Sequence, residues 1–296
     1  MTGQGWRIRL AGGTLLALCV VSPLAWAAAA EPISLAQDGP WVANFDDDSC
    51  QLIGRFGTGK TSIVAIFTRY QPSDSFDLAL QGESLEREGS SSQIKLAFGP
   101  GLPEQEALAT LGTLGSKPLM MFNALRLDRW TRSPKLRGEA PPAIYPEQEA
   151  AISTLTVRLG GKRNYRLELG SMGKPMATMR TCMDGLLKHW GYDPVAFAAQ
   201  SRGAVPLSNP GTWVTSADYP SKALRGGYNG IIQFRLDLDE SGKILGCHIL
   251  ARTNPDEFAD AACRALTRRA RFEPALDAAG KPTKTFYSDS IRFVIR

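Results

Sequence analysis

The sequence predicts an α+β fold in two parts. Residues 31–200 read as a mainly antiparallel β domain with a closing helix. Residues 210–296 read as a small helix-strand-strand-helix-strand domain on a three-stranded antiparallel sheet. Three observations predict this. Short runs rich in β-branched and aromatic residues, separated by Gly, Ser and Asp, fill residues 41–98. One apolar stripe of helical period runs from Met172 to Trp190. From Ile231 onward, two alternating runs, a helix signal and a last alternating run follow one another.

The first thirty residues stand outside this scheme. Arg7 and Arg9 precede an uncharged stretch, Leu10 to Leu24, and Ala25-Trp26-Ala27 then offers small residues where a signal peptidase reads. This is the pattern of a cleaved secretory signal. A retained membrane anchor is the alternative, but a span needs about 20 apolar residues, and Gly12, Gly13 and Pro23 interrupt this stretch. Cleavage removes two arginines and no acid, so the formal charge falls from +5 to +3. That is too mild for nucleic acid. The cluster Arg264, Arg268, Arg269 and Arg271 reads as a solvated helix face. With 43% apolar and 21% charged residues the chain can bury a real core.

In residues 31–200 the strand signals are Trp41–Phe45, Cys50–Phe56, Ser62–Tyr70, Phe76–Leu80, Ile94–Phe98, Leu155–Leu159 and Tyr165–Leu169. Ser133 to Pro146 carries four prolines and reads as an exposed loop. The closing helix buries Met172, Met176, Met179, Met183, Leu186, Leu187 and Trp190, and Gly191 stops it. Thioethers suit Cu(I), but this spacing is that of a core stripe. Ser201–Asn209 reads as a linker.

Ile232, Phe234, Leu236 and Leu238 alternate with Gln233, Arg235, Asp237 and Asp239, a half-buried antiparallel strand. Glu240-Ser241-Gly242 turns the chain, and the return strand sets Leu245, Cys247 and Ile249 on one face. Asn254-Pro255-Asp256 starts a helix with the stripe Ala259, Ala262, Cys263, Leu266 and Ala270. Phe286 to Ile295 is the last strand.

Cys19 leaves with the signal, and Cys50, Cys182, Cys247 and Cys263 remain. An even number in an exported chain predicts two disulfides. Pairing Cys50 with Cys182 and Cys247 with Cys263 keeps each bond within one predicted domain. Strand and helix periods also set Cys247 and Cys263 in one layer. No two cysteines have the two-to-four spacing of a metal site.

Tyr219-Pro220-Ser221-Lys222-Ala223-Leu224-Arg225, Gly227, Gly230, the hairpin turn Asp239-Glu240-Ser241-Gly242-Lys243, the Ala-rich helix and Arg271-Phe272-Glu273-Pro274-Ala275 come in order. Together they resemble a TonB C-terminal domain over residues 210–296. The cysteine pair resembles that of a disulfide-bearing, exported branch of the family. Trp41, Cys50 and the run Cys182…His189-Trp190-Gly191-Tyr192-Asp193-Pro194 are similar to the companion domain of that branch.

The resemblance implies a protein-binding module that engages the periplasmic end of an outer-membrane transporter or another envelope protein. An extended partner segment adds beside the last strand. The contacts it implies are Tyr219, Pro220, Phe286, Ser288, Ser290, Arg292 and Val294, with simple chain packing as the other role for Tyr219-Pro220. It implies a periplasmic location, no cofactor and no catalysis. Partners in a homodimer can exchange last strands, which leaves that assembly open. Residues 1–30 lack the histidine of an energy transducer, and Ser201–Asn209 spans only about 30 Å where a transducer has a long spacer. A membrane-anchored transducer and an activity housed in residues 31–200 are the alternatives.

Two motifs carry little. Gly54-Arg55-Phe56-Gly57-Thr58-Gly59-Lys60-Thr61 fits a P-loop by letter, but a strand-like run follows where a helix is needed. Asp46-Asp47-Asp48 could ligate calcium and reads as a charged turn. There is no G-x-S-x-G or H-E-x-x-H, and the two histidines lie in different predicted domains.

Overall fold

The computed structural model describes residues 31–85, 93–99, 104–128, 142–159, 163–253 and 255–295. The segment expected to be a signal, most of the Pro-rich loop and the expected Asn254 cap lie outside them. In chain order the strands are β1 (Ile33–Leu35), β2 (Val42–Phe45), β3 (Cys50–Phe56), β4 (Ile63–Arg69), β5 (Phe76–Gln81) and β6 (Gln93–Phe98). Then come β7 (Gln105–Leu108), β8 (Thr110–Leu114), β9 (Lys117–Leu125), helix α1 (Pro146–Ala151), β10 (Thr154–Arg158) and β11 (Asn164–Glu168). Helices α2 (Gly173–His189) and α3 (Pro194–Ala198), strand β12 (Val205–Pro206) and helix α4 (Ser221–Arg225) follow. The chain closes with β13 (Gly230–Leu238), β14 (Ile244–Arg252), α5 (Glu257–Arg269), β15 (Phe272–Glu273), β16 (Ala275–Leu276), β17 (Pro282–Thr283) and β18 (Thr285–Phe293).

The first part is built on two sheets. One has the order β2-β3-β4-β5-β9-β8, the other β1-β11-β10-β6-β7. The β1–β11 pair is parallel, an exception in a mainly antiparallel architecture. Alternate residues such as Leu52, Phe67, Leu78, Leu96, Leu155 and Leu167 enter one apolar cluster. Phe98 meets Phe67 and Phe76 edge-on, with centroids 6.5 and 5.8 Å away, which links the two sheets. The methionine stripe of α2 is buried in the same cluster, and the Cys50–Cys182 bond ties α2 to β3. Strands β1, β7, β8 and β9 were not predicted. The longest, β9, carries Pro118 and the neighbours Met120 and Met121, so the signals for a strand are diluted.

The P-loop-like letters form a turn. After β3 ends at Phe56, Gly57 and Gly59 take φ of 69° and 59°, a short 3-10 turn spans Gly59–Thr61, and β4 begins. Lys60 is exposed. No helix follows to present an N-terminus to phosphate.

The second part has the sheet order β14-β13-β18. Ile232, Phe234, Leu236 and Leu238 pack with Phe258, Ala262 and Leu266 of α5 in a second apolar cluster. Two details differ from the predicted patterns. Leu245 is 60% exposed, because β14 bulges where Leu238 pairs Ile244 and Asp237 pairs Gly246; the extra residue leaves the ladder and Ile244 takes the inner face. The stripe of α5 is centred on Phe258, Ala261, Ala262, Ala265 and Leu266, with Ala259 and Cys263 at its margin. Cys263 bonds Cys247 from that margin.

Ser201–Asn209 is not a free tether. β12 pairs with β15, Arg202 bonds Leu276 through the backbone and Glu273 through its side chain, and the Leu207 amide donates to the Arg271 carbonyl. Residues Glu31–Arg296 form one compact unit.

Candidate functional site

The last strand, β18, lies at the edge of its sheet. One side pairs with β13 over nine residues, from Gly230↔Phe293 to Leu238↔Thr285. The other side has no strand partner among the described residues. Such an edge presents backbone N–H and C=O groups to any extended chain that reaches it.

Beside this edge runs a groove of about 590 Å³. Its floor is Phe234, Leu266, Ile291 and Phe293, and its far wall is the segment 210–219 with Trp213, Val214, Thr215 and Tyr219. The wall is held from below. Asp218 accepts from both Arg268 (2.9 Å) and Arg269 (2.6 Å) on α5, and its carboxylate also bonds the Thr215 amide (2.8 Å). The Arg269 guanidinium holds the Asp218 carboxyl well below the usual carboxylate range. Arg269 further donates to the Trp213 carbonyl at 2.7 Å, and the Trp213 ring packs edge-on against Phe272 and Tyr287. Phe258 and Phe293 lie 4.7 Å apart, and Tyr219 sits edge-on to both.

The opposite face of the sheet is not open to solvent. Gln233 and Arg235, expected on a polar outer face, are only 8% and 6% exposed. They meet residues 31–200. Asp77 accepts from Gln233 Nε2 (2.7 Å), Asn123 Nδ2 (2.8 Å) and the Ala124 amide (2.9 Å). Burial raises the Asp77 pKa despite these donors. Ala124 adopts φ of 54°, the left-handed region in which a non-glycine residue is strained. Arg292 reaches Asn123 Oδ1 at 2.7 Å. Further along, the Arg235 guanidinium stacks 4.0 Å above the Trp190 ring. Tyr192 Oη lies within hydrogen-bond distance of Asp237 and the Thr285 carbonyl. Phe286 is enclosed by Trp190, Tyr192 and Phe197 at 5.0–5.4 Å. The Trp190–Pro194 run is thus the junction between the two cores.

These contacts sort the residues expected to touch a partner. Tyr219, Ser290, Arg292 and Val294 line the groove, and Val294 is 57% exposed. Pro220 caps α4 and stands outside the groove. Phe286 is withdrawn as a side-chain contact, since it is 7% exposed within the junction; only its backbone remains on the edge. Ser288 faces a small cavity on the junction side. Phe286, Ser288, Ser290 and Arg292 share one face of a period-two strand, and that face meets residues 31–200. The sequence reading named the strand Phe286–Ile295 as a whole without singling out Ile291 and Phe293, and it missed Trp213 as a groove residue. A lone Trp in Gly211-Thr212-Trp213-Val214 was the available signal.

Among the described residues there is no group of three or more His, Cys, Asp or Glu placed to hold a metal ion, and no helix long and apolar enough to cross a membrane. Residues 215–295 match the family model described as the Gram-negative bacterial TonB protein C-terminal. That span covers β18 and most of the groove, while Pro210, Gly211, Trp213 and Val214 of the groove wall lie just ahead of it. No curated protein matches the chain.

Proposed function

We propose that the TonB-like module in residues 215–295 binds a partner protein of the cell envelope by taking an extended segment onto the open edge of β18. Domains of this family are non-enzymatic protein-interaction modules. The observation that carries the proposal is an unpaired edge strand that runs along an apolar groove. Edge amides and carbonyls supply affinity that is independent of sequence, and the groove supplies selectivity. The partner class is an outer-membrane transporter or another envelope protein. The chain acts from the periplasm after removal of residues 1–30, without catalysis.

A photo-reactive phenylalanine analogue at Val294, in the native host, tests this. Val294 is 57% exposed at the groove, and Val195, 78% exposed on α3, is the control. Adducts with an outer-membrane protein from position 294 and none from 195 are expected. Equal adducts at both positions, or none at 294, overturn the proposal.

A further inference from the structure

We infer that residues 31–200 form the second wall of the binding site and select small hydrogen-bonding side chains on one face of the incoming strand. The inference rests on strand addition at β18. Side chains of an added strand alternate between the two faces of the sheet it joins. At the edge of β18 those faces differ.

On the α5 side lies the groove, floored by Phe234, Leu266, Ile291 and Phe293. On the other side lies a cavity of about 90 Å³. Its polar lining includes Ser73, Ser75, Asp77 and Asn123 from residues 31–200, Gln233 from β13, and Ser288 and Ser290 from β18. Asp289 and Ser290 line both spaces, so the two adjoin across the strand edge. The cavity has room for about three waters at ~30 Å³ each. Serine, threonine or asparagine finds hydrogen-bond partners in that space, whereas an aromatic ring would leave its polar lining unpaired. The charged lining of the cavity is Asp77 and Asp289 against the single guanidinium of Arg69, so a hydrogen-bond donor is favoured over a further carboxylate.

In its strained conformation the Ala124 N–H donates a hydrogen bond to Asp77, and Asn123 joins Asp77 to Arg292 on β18. This wall is therefore built into the same hydrogen-bonded chain that positions the edge. The fitting occupant is an extended partner segment in which apolar residues alternate with Ser, Thr or Asn.

An array of eight-residue peptides, probed with the full chain, tests the inference. The parent peptide alternates Val and Thr; derivatives replace the Thr set by Glu or Trp, and another set is N-methylated at alternate residues. Binding of the parent is expected. A derivative set with Glu or Trp is expected to bind about tenfold more weakly, the worth of one unpaired buried polar group. S73W, which fills the cavity, is expected to weaken the Thr parent to the level of its substituted derivatives, and D77N, which removes its charge, is expected to narrow the gap between the parent and the Glu derivative. Indifference of the wild type at the Thr positions, with binding still lost on N-methylation, overturns this inference and leaves strand addition standing. No binding by any peptide overturns both.

Discussion

Replacing Asp77 and Gln233 by alanine, singly and together, measures how firmly the two cores are joined. These residues are 156 positions apart and share one bond of 2.7 Å. Gln233→Ala removes that donor and leaves Asp77 with Asn123 and the Ala124 amide, so a loss of about 1 kcal/mol is expected. Asp77→Ala strips the acceptor from three donors. A buried donor left unpaired costs about 1–3 kcal/mol, but the Ala124 amide is exposed and water replaces its bond. Removing the carboxylate also relieves its desolvation. The net loss is about 2 kcal/mol. The double variant then loses about 1 kcal/mol less than the sum, because the shared bond is counted once. Urea denaturation of the full chain at pH 7, without reductant, supplies all four free energies. A coupling near zero would refute the bond as a joint between the cores. Sign and pH give a second check. A carboxyl whose folded pKa is raised favours the protonated folded state, so its contribution falls as pH rises above the unfolded value near 3.8. The stability of the wild type relative to D77N is expected to decline over that range.

Three further outcomes follow from the geometry. The Cys50–Cys182 bond closes a span of 132 positions and Cys247–Cys263 one of 16, so chain entropy assigns them about 5 and about 3 kcal/mol; paired Cys→Ala variants in denaturant test the ranking, and the reverse order refutes it. Asp218, held below the ordinary carboxylate range first by Arg269, contributes stability above the unfolded value near 3.8 that is lost as pH falls toward the folded one. D218N is expected to cost about 1–2 kcal/mol at pH 7 and to lose that difference in acid, as pH-resolved denaturation would show. At Gly230 an added Cβ would lie 2.5 Å from the Phe258 ring, so Gly230→Ala is expected to destabilise by about 1–3 kcal/mol through overpacking beneath Tyr219 and Phe293, read by thermal unfolding.

Much of this architecture is legible where a single period decides it. The methionine stripe of α2 has one solution, and the structure buries it. The alternation of β13 and of β18 fixes which residues face α5. What alternation cannot give is the cover on the other face. Gln233, Arg235 and Arg292 are ordinary outer-face residues by type, and only contacts with Asp77, Trp190 and Asn123 bury or bind them. Those contacts join distant parts of the chain, so no local pattern signals them. The bulge at Leu245 was equally hidden, because the letters of β14 still alternate while the ladder slips by one residue. Tyr219 was legible as a candidate through its motif, and it lines the groove. Trp213, which packs the groove wall, stands in no periodic segment.

An edge strand that accepts a partner has to satisfy two opposed demands. It must leave its outer amides unpaired, and it must not pair with the wrong chain or lose its shape while waiting. Here β18 is fixed on three sides: by the β13 ladder, by the aromatic cluster of Tyr219, Phe258 and Phe293, and by the junction through Phe286 and Arg292. The charged pair of positions Asp289 and Arg292 interrupts an otherwise apolar or small-residue edge, which disfavours indiscriminate pairing. A receptor edge already ordered in this way surrenders little conformational freedom on binding, and that raises affinity without new contacts. The same fixation has a mechanical consequence. Val205 and Pro206 pair with β15, and Arg292, Asn123 and Asp77 form a hydrogen-bonded chain from β18 into the first core, so on the proposed reading a load on a bound segment would reach both cores.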